Sequence, residues 1–278
     1  MGLNTELAGK KYPASTYEVT AEAITRYADA TNEDNPFFRG PSAVAPPAFP
    51  IVPAGMGVAS VMFDSDLGAN LALLVHGEED HVLHAPIKAG DRLTVESSLE
   101  SVEQKETGET FTIYTTLTNQ DGVLAGEVRS LMFIRGTGSG SKSAGGGDET
   151  PDEVVFETVQ KVDDDQTYRY AEASGDHNPI HVDPEFATGV AGLPSIICHG
   201  MCTMAFASKA LLDGLCDADP AKMRRMKVRF SKPVFPGQTL TTRAWLRSED
   251  DGVKTYGFET LNPEGTAVIR NGVVEVIG

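Results

Sequence analysis

The chain repeats itself. Tyr27-Ala28 and Asn35-Pro36 return as Tyr170-Ala171 and Asn178-Pro179 at a constant spacing of 143 residues, with no gap from Val19 to Phe38. Further on, Gly55-Met56 matches Gly200-Met201 at a spacing of 145, and His84 to Gly90 matches Ser231 to Gly237 at 147. A slow drift of this kind puts short insertions in loops and leaves the folding unit intact, so the chain is one fold written twice. At 278 residues, each copy has the length of a modest domain. Between the copies, residues 136–151 (GTGSGSKSAGGGDETP) read as a flexible Gly/Ser linker. The expected division is 1–135, linker 136–151, and 152–278.

Both copies open the same way. Val19 to Asn32 predicts a helix, with Thr20 as N-cap, Glu22 in the first turn, and Ile24, Tyr27 and Ala28 on one face. In the second copy Asp163 is the expected N-cap, with Gln166 three residues on as in a capping box. Each copy then runs into strands rich in Val, Ile, Thr and aromatic residues. These are Arg92 to Leu99, Thr110 to Thr118 and Gly122 to Ile134, then Arg225 to Phe230, Thr239 to Arg247, Val253 to Leu261 and Thr266 to Ile277.

Only the second copy carries a full set of chemical groups. Asp176 and His181 lie five residues apart across Pro179, which disfavours helix at Asn178 and makes the segment a turn. Such a turn can aim a carboxylate and an imidazole at one water and pass its proton. Taken alone, the pair also reads as a turn-capping Asp and a satisfied surface His. The first copy has Glu33 for Asp176, Phe38 for His181 and Ala54 for His199. Its run Ala45 to Pro53 is expected to shorten or break the equivalent helix. Downstream, Gly200 opens a predicted helix, whose free N–H groups can hold a developing oxyanion. Asn178 reads either as a turn residue or as a support for the site, since the first copy keeps it as Asn35.

Composition removes other classes. A net charge of −17 argues against a nucleic-acid partner, which needs a basic face. Three cysteines, Cys198, Cys202 and Cys216, make no disulfide framework, and no apolar leader or membrane-length run is visible; the expectation is a cytoplasmic protein without membrane contact. No metal site is expected. His177 and His181 straddle Pro179, and Cys198, His199 and Cys202 lack a second ligand pair. Against the acidic background, Lys222, Arg224, Arg225, Lys227, Arg229 and Lys232 gather six of the 23 basic residues. They read either as a solvated strand face or as a landing place for phosphates.

The pattern Tyr-Ala-x-x-Ser-Gly-Asp-x-Asn-Pro-x-His from Tyr170 to His181, followed by Leu-Pro-x-x-Ile-x-His-Gly-Met from Leu193 to Met201, resembles the (R)-specific enoyl-CoA hydratases, also called hydratase 2 or MaoC-like dehydratases. The resemblance implies an α+β double hot-dog: two tandem units, each an antiparallel sheet wrapped around a central helix, the first non-catalytic. It implies reversible hydration of trans-2-enoyl-CoA to (3R)-3-hydroxyacyl-CoA. Asp176, His181 and Gly200 would be catalytic, the Gly200 N–H binding the thioester carbonyl. Asn178, His199, Arg229, Lys232 and Phe38 would bind substrate, His199 either capping the helix or touching the acyl-CoA. No cofactor is implied, since CoA is part of the substrate. The expected partners are an acyl-CoA thioester and a second copy of the chain, giving a homodimer of double hot-dogs. A non-catalytic acyl-CoA-binding subunit and a hot-dog thioesterase are the alternatives; the intact Asp176/His181 pair argues against the first and the Gly-Asp-x-Asn-Pro-x-His pattern against the second.

Overall fold

The computed structural model describes residues 2–105, 108–136 and 153–278, so the linker 136–151 falls almost wholly outside the described residues. The first copy contains β1 (Ser15–Glu18), α1 (Ala21–Ala30), α2 (Ile51–Met62), β2 (Leu74–Leu83), β3 (Arg92–Lys105), β4 (Gly108–Thr118) and β5 (Leu124–Arg135). The second contains β6 (Phe156–Lys161), α3 (Gln166–Ser174), α4 (Pro179–Val182), α5 (Pro184–Gly189), α6 (Gly200–Leu215), β7 (Met223–Phe230), β8 (Thr239–Asp250), β9 (Val253–Leu261) and β10 (Ala267–Ile277). All ten strands form one sheet in the order β1-β3-β4-β5-β2-β7-β10-β9-β8-β6. The order is the same read from either edge, as a fold written twice requires. The copies meet where β2 pairs antiparallel with β7. Asp80 lies opposite Lys227, and these two positions are also equivalent at the spacing of 147.

Each half wraps its sheet around one helix. α2 packs on β1, β3, β4 and β5, and α6 packs on β6, β7, β8 and β10. α6 is apolar on nearly every side, with Met201 to Ser208 all buried, as a helix enclosed by a sheet must be. The Pro-rich run shortens its counterpart, as expected, but does not break it: α2 spans 12 residues against 16 for α6. The run also moves the helix start. α2 begins at Ile51, which leaves Gly55 as its fifth residue, beyond the first turn whose N–H groups are free.

α1 and α3 pack on each other, and the equivalent Tyr27 and Tyr170 meet edge to face with ring centroids 5.7 Å apart. Thr20 caps α1 as expected, accepting from the Ala23 N–H at 3.0 Å. The predicted capping box of α3 is only half present. Gln166 Oε1 accepts the Asp163 N–H at 3.1 Å, but α3 starts at Gln166 with Asp165 at its N-cap position. The Asp163 carboxylate instead accepts from Asn32 Nδ2 of the other copy at 3.0 Å and from Arg169 of α3 itself at 2.7 Å. Gln166 itself is fully buried and donates to the Ala30 carbonyl at 2.6 Å, tying the two helices together.

Replacing Gln166 by Leu removes the partner of the half-buried Asp163 N–H and of the buried Ala30 carbonyl at this junction. The expected loss is about 1–3 kcal/mol in chemical denaturation, with activity per folded molecule retained. An unchanged denaturation midpoint would show that the junction carries no weight.

Candidate active site

The site begins with how α3 ends. Gly175 takes the left-handed conformation (φ 79°) at the C-cap, closing α3 through its N–H to the Ala171 carbonyl at 2.9 Å. Its counterpart Asn32 holds the same region (φ 53°), the residue type that tolerates it best after glycine. The chain then steps through side-chain turns. Ser174 Oγ accepts the Asp176 N–H at 3.2 Å, Asp176 Oδ1 accepts the Asn178 N–H at 3.1 Å, and Asn178 Oδ1 accepts the Ile180 N–H at 3.3 Å. Pro179 is the first residue of α4, where a missing N–H costs nothing. This short turn of helix swings His181 inward, leaving it 8% exposed while Asp176 faces solvent.

His181 Nδ1–H donates to the Ile197 carbonyl at 2.8 Å. That fixes the tautomer: in the neutral ring Nε2 carries the lone pair. Burial lowers the His181 pKa below its ordinary 6.5, against the pull of the Ile197 bond and of Asp176, so the ring is neutral at pH 7. His199 lies against it, ring centroids 3.8 Å apart at 27°, and Tyr170 also packs on His199, centroids 4.8 Å apart. His199 Nε2–H donates to the Asp176 carbonyl at 2.9 Å. Burial and the neighbouring His181 push its pKa down to about 4. His199 occupies the N-cap position of α6, yet its side chain makes no cap bond. Its ring instead clamps the turn that carries Asp176. Ligand-capable atoms of Asp176, His181 and His199 all lie within 4.8 Å of one another.

The residues leading into α6 are fixed from both sides. Cys198 N–H donates to the Val234 carbonyl at 2.7 Å, and Ile197 N–H to the Ile180 carbonyl at 3.2 Å. Gly200 is the first residue of α6, so its N–H is among those with no partner inside the helix. A Cβ there would lie 3.4 Å from the ring of Phe230, at the end of β7. Asp176, His181, His199 and Gly200 therefore converge, in the second half and beside the seam.

Other predicted residues land elsewhere. Asn178 is an exposed turn residue that organises Asp176 and α4. Phe38 takes the place of His181 in the repeat but is wholly buried in the main core. Its exposed neighbour Phe37 instead lines an apolar cleft of about 200 Å³ with Pro46, Pro47, Pro50, Leu83 and Met223. Within the basic cluster, Lys222 pairs with Asp217, Arg225 with Asp80 and Glu275, and Lys227 with Glu78. Arg229 and Lys232 are exposed and make no ion pair among the described residues. Arg229 alternates with Val228 and Phe230, which places it on the face of β7 away from α6; Lys232 follows the end of the strand. All three cysteines are buried and free. No helix among the described residues is long and apolar enough to cross a membrane.

The comparisons with known proteins agree with this geometry. Residues 148–267 match the MaoC like domain, and residues 6–128 match the FAS1-like, dehydratase domain region. A 3-hydroxyacyl-thioester dehydratase Y from Mycobacterium tuberculosis is 33% identical over 218 residues, covering 75% of this chain and 74% of that protein. The chain belongs to the MaoC-like dehydratase family. A probable enoyl-CoA hydratase 2 from Dictyostelium discoideum is 30% identical, covering 72% of this chain and 69% of its own length. A solved structure of a MaoC-like dehydratase superposes with a TM-score of 0.83 at 21% identity, covering 98% of both chains. A Mycobacterium tuberculosis protein described as having a double hot-dog fold superposes with a TM-score of 0.63 at 10% identity, covering 97% of this chain and 96% of its own; the fold is the double hot-dog.

The buried, neutral His181 sets a pH dependence. As pH falls, a proton occupies Nε2 and removes the lone pair. Because burial lowers the pKa, that loss is expected below pH 6.5. A kcat/KM profile whose acid limb has its midpoint at or above 6.5 would contradict the assignment.

Proposed function

We propose that the chain hydrates trans-2-enoyl-CoA to (3R)-3-hydroxyacyl-CoA and catalyses the reverse dehydration. The observation that carries this reading is the grouping of Asp176, His181 and His199, ligand-capable atoms within 4.8 Å of one another, with His181 Nε2 left unprotonated and Gly200 at the start of α6. The names of the relatives, an enoyl-CoA hydratase and a 3-hydroxyacyl-thioester dehydratase, support it.

In this mechanism the thioester carbonyl accepts from the Gly200 N–H. Negative charge developing on that oxygen is met by a fixed donor and the positive end of a 16-residue helix. A water held between Asp176 and His181 adds its oxygen to C3, its proton passing to the pair. A proton returns from the pair to C2 on the same face, so one water is added in all. His199 holds the two acid/base groups together and is itself neutral. The conjugated enoyl thioester is already electrophilic, so positioning and oxyanion stabilisation supply the remaining lowering of the barrier. Lys232, exposed and without an ion pair among the described residues, is the residue proposed to meet the CoA phosphates, with Arg229, exposed on the face of β7 away from α6, as the second candidate.

Hydration of crotonyl-CoA, followed by loss of enoyl absorbance, tests the reading. Asp176→Asn and His181→Ala are each expected to lower kcat by roughly 10²–10⁴-fold while remaining folded, the scale of a lost general acid/base group. Wild-type rates in both would refute it, and so would an inactive wild type that binds short, medium and long enoyl-CoAs.

For the phosphate contact, Lys232→Ala is expected to raise KM for crotonyl-CoA several-fold with little change in kcat. KM for the crotonyl thioester of pantetheine, which lacks the nucleotide phosphates, should stay the same. Equal shifts for both substrates would remove Lys232 from the CoA site.

A further inference from the structure

A second polar cluster lies at the seam, on the strand contributed by the non-catalytic half. His76 and Glu79 are three residues apart on β2, and on a regular strand they would face opposite ways. A bulge prevents this. The register against β5 slips between His76 and Glu78, at Gly77, and turns His76 to the side of Glu79. A side chain at Gly77 would press on Leu131, whose nearest atom lies 3.0 Å from an added Cβ. His76 Nε2–H then donates to Glu79 Oε2 at 2.8 Å, and His81 Nε2–H donates to Glu79 Oε1 at 2.9 Å. His81 Nδ1 faces the Pro47 carbonyl at 3.3 Å. Glu79 has no exposed surface. Burial alone would raise its pKa, but the two imidazoles hold it down at about 2. An apolar side chain would fill such a space without the desolvation penalty of a carboxylate, so the carboxylate points to what its partners do.

One partner reaches the active site. The His76 and Phe230 rings meet edge to face, centroids 5.0 Å apart at 66°. Phe230 is the residue whose ring carbons lie 3.4–3.5 Å from where Gly200 would carry a Cβ. The repeat places the same two residues by a separate route. At the spacing of 147, His76 stands where Met223 does and Phe230 where Leu83 does, and Met223 and Leu83 both line the apolar cleft of the first half. His76 and Phe230 thus occupy the matching wall beside α6, where the second half keeps its chemistry.

We propose that His76 is a positioning residue for the hydration reaction, supplied by the half that has lost its own acid/base pair. Held by Glu79, its ring props Phe230 against Gly200 and fixes the N–H that receives the thioester carbonyl. It touches no reacting atom and acts through Phe230. The proposal rests on the reading of Gly200 given above.

The test uses His76→Gln, which keeps a donor for Glu79 and removes the ring, alongside Phe230→Ala, the double variant and His76→Phe, which keeps a ring. Crotonyl-CoA kinetics and thermal melting are measured for each. His76→Gln and Phe230→Ala are each expected to lower kcat roughly tenfold or more, with KM changed less than about threefold, because the lost contact matters in the transition state. The double variant should be no slower than the slower single one, and His76→Phe should keep more activity than His76→Gln. A folded His76→Gln enzyme with wild-type kcat overturns the proposal, and so do losses that multiply in the double variant. If His76→Gln does not fold, Phe230→Ala decides, wild-type kcat there being fatal. Asp176→Asn in the same assay separates the two readings. Its inactivity beside a normal His76→Gln sinks only the positioning role, whereas full activity of Asp176→Asn sinks the site on which that role rests.

Discussion

Everything in this molecule depends on the antiparallel pairing of β2 with β7. The ladder closes two five-stranded units into one ten-stranded sheet and sets the distance between their helices. On the outer face it is reinforced across the seam by Arg225 with Asp80 and Lys227 with Glu78, pairs that are partly solvated and individually weak. On the inner face it carries Glu79 opposite Val228 and His81 opposite Met226, all four fully buried. A one-residue slip would send the buried carboxylate to the outside and bring the outer charges into the core. The register is therefore strongly specified.

The two halves have used equivalent positions for different ends. Where the second half holds Asp176 over open solvent, the first holds Glu33 almost fully buried. Lys209 on α6 lies 3.4 Å from Glu33, and Asn35 Nδ2 donates to the Ala218 carbonyl beyond the end of α6 at 2.7 Å. The loop that lost the chemistry now grips the C-terminal end of the helix whose N-terminus faces the substrate. Its own helix has moved its start, so Gly55 sits inside α2 and offers no free N–H.

The halves, their helices and most of their strands were legible because repeat spacing and apolar periodicity report burial directly. β2 was not. Its sequence, LVHGEEDHVL, lacks the Val, Ile, Thr and aromatic run that marks the other strands, yet Glu79, Asp80 and His81 are all buried at the centre of the sheet. Periodicity cannot show that a carboxylate is neutralised by imidazoles on its own strand, or that a bulge at Gly77 makes His76 face the same way. Asp176 and His181 were legible because the first copy has lost both and because the motif resembles the hydratase pattern, their spacing alone fitting a turn-capping Asp and a surface His as well; Gly200 was legible as a helix start. His199 was only half legible: its place before α6 suggested a cap, but its actual partner is a carbonyl 23 residues earlier in the chain. Phe38 was legible only as the aromatic residue at a vacated catalytic position, and its full burial in the core depends on contacts that its place in the repeat does not show.

The continuous sheet also has a consequence for assembly. Were the two units separate chains, degenerate units could pair with one another and active units with themselves, and only a share of the complexes would combine an acid/base pair with the strand that braces it. Joining them in one chain makes the partner intramolecular and raises its effective concentration without any new contact. Every molecule then has one unit of each kind, and the bracing unit is free to accumulate changes that a self-pairing unit could not tolerate.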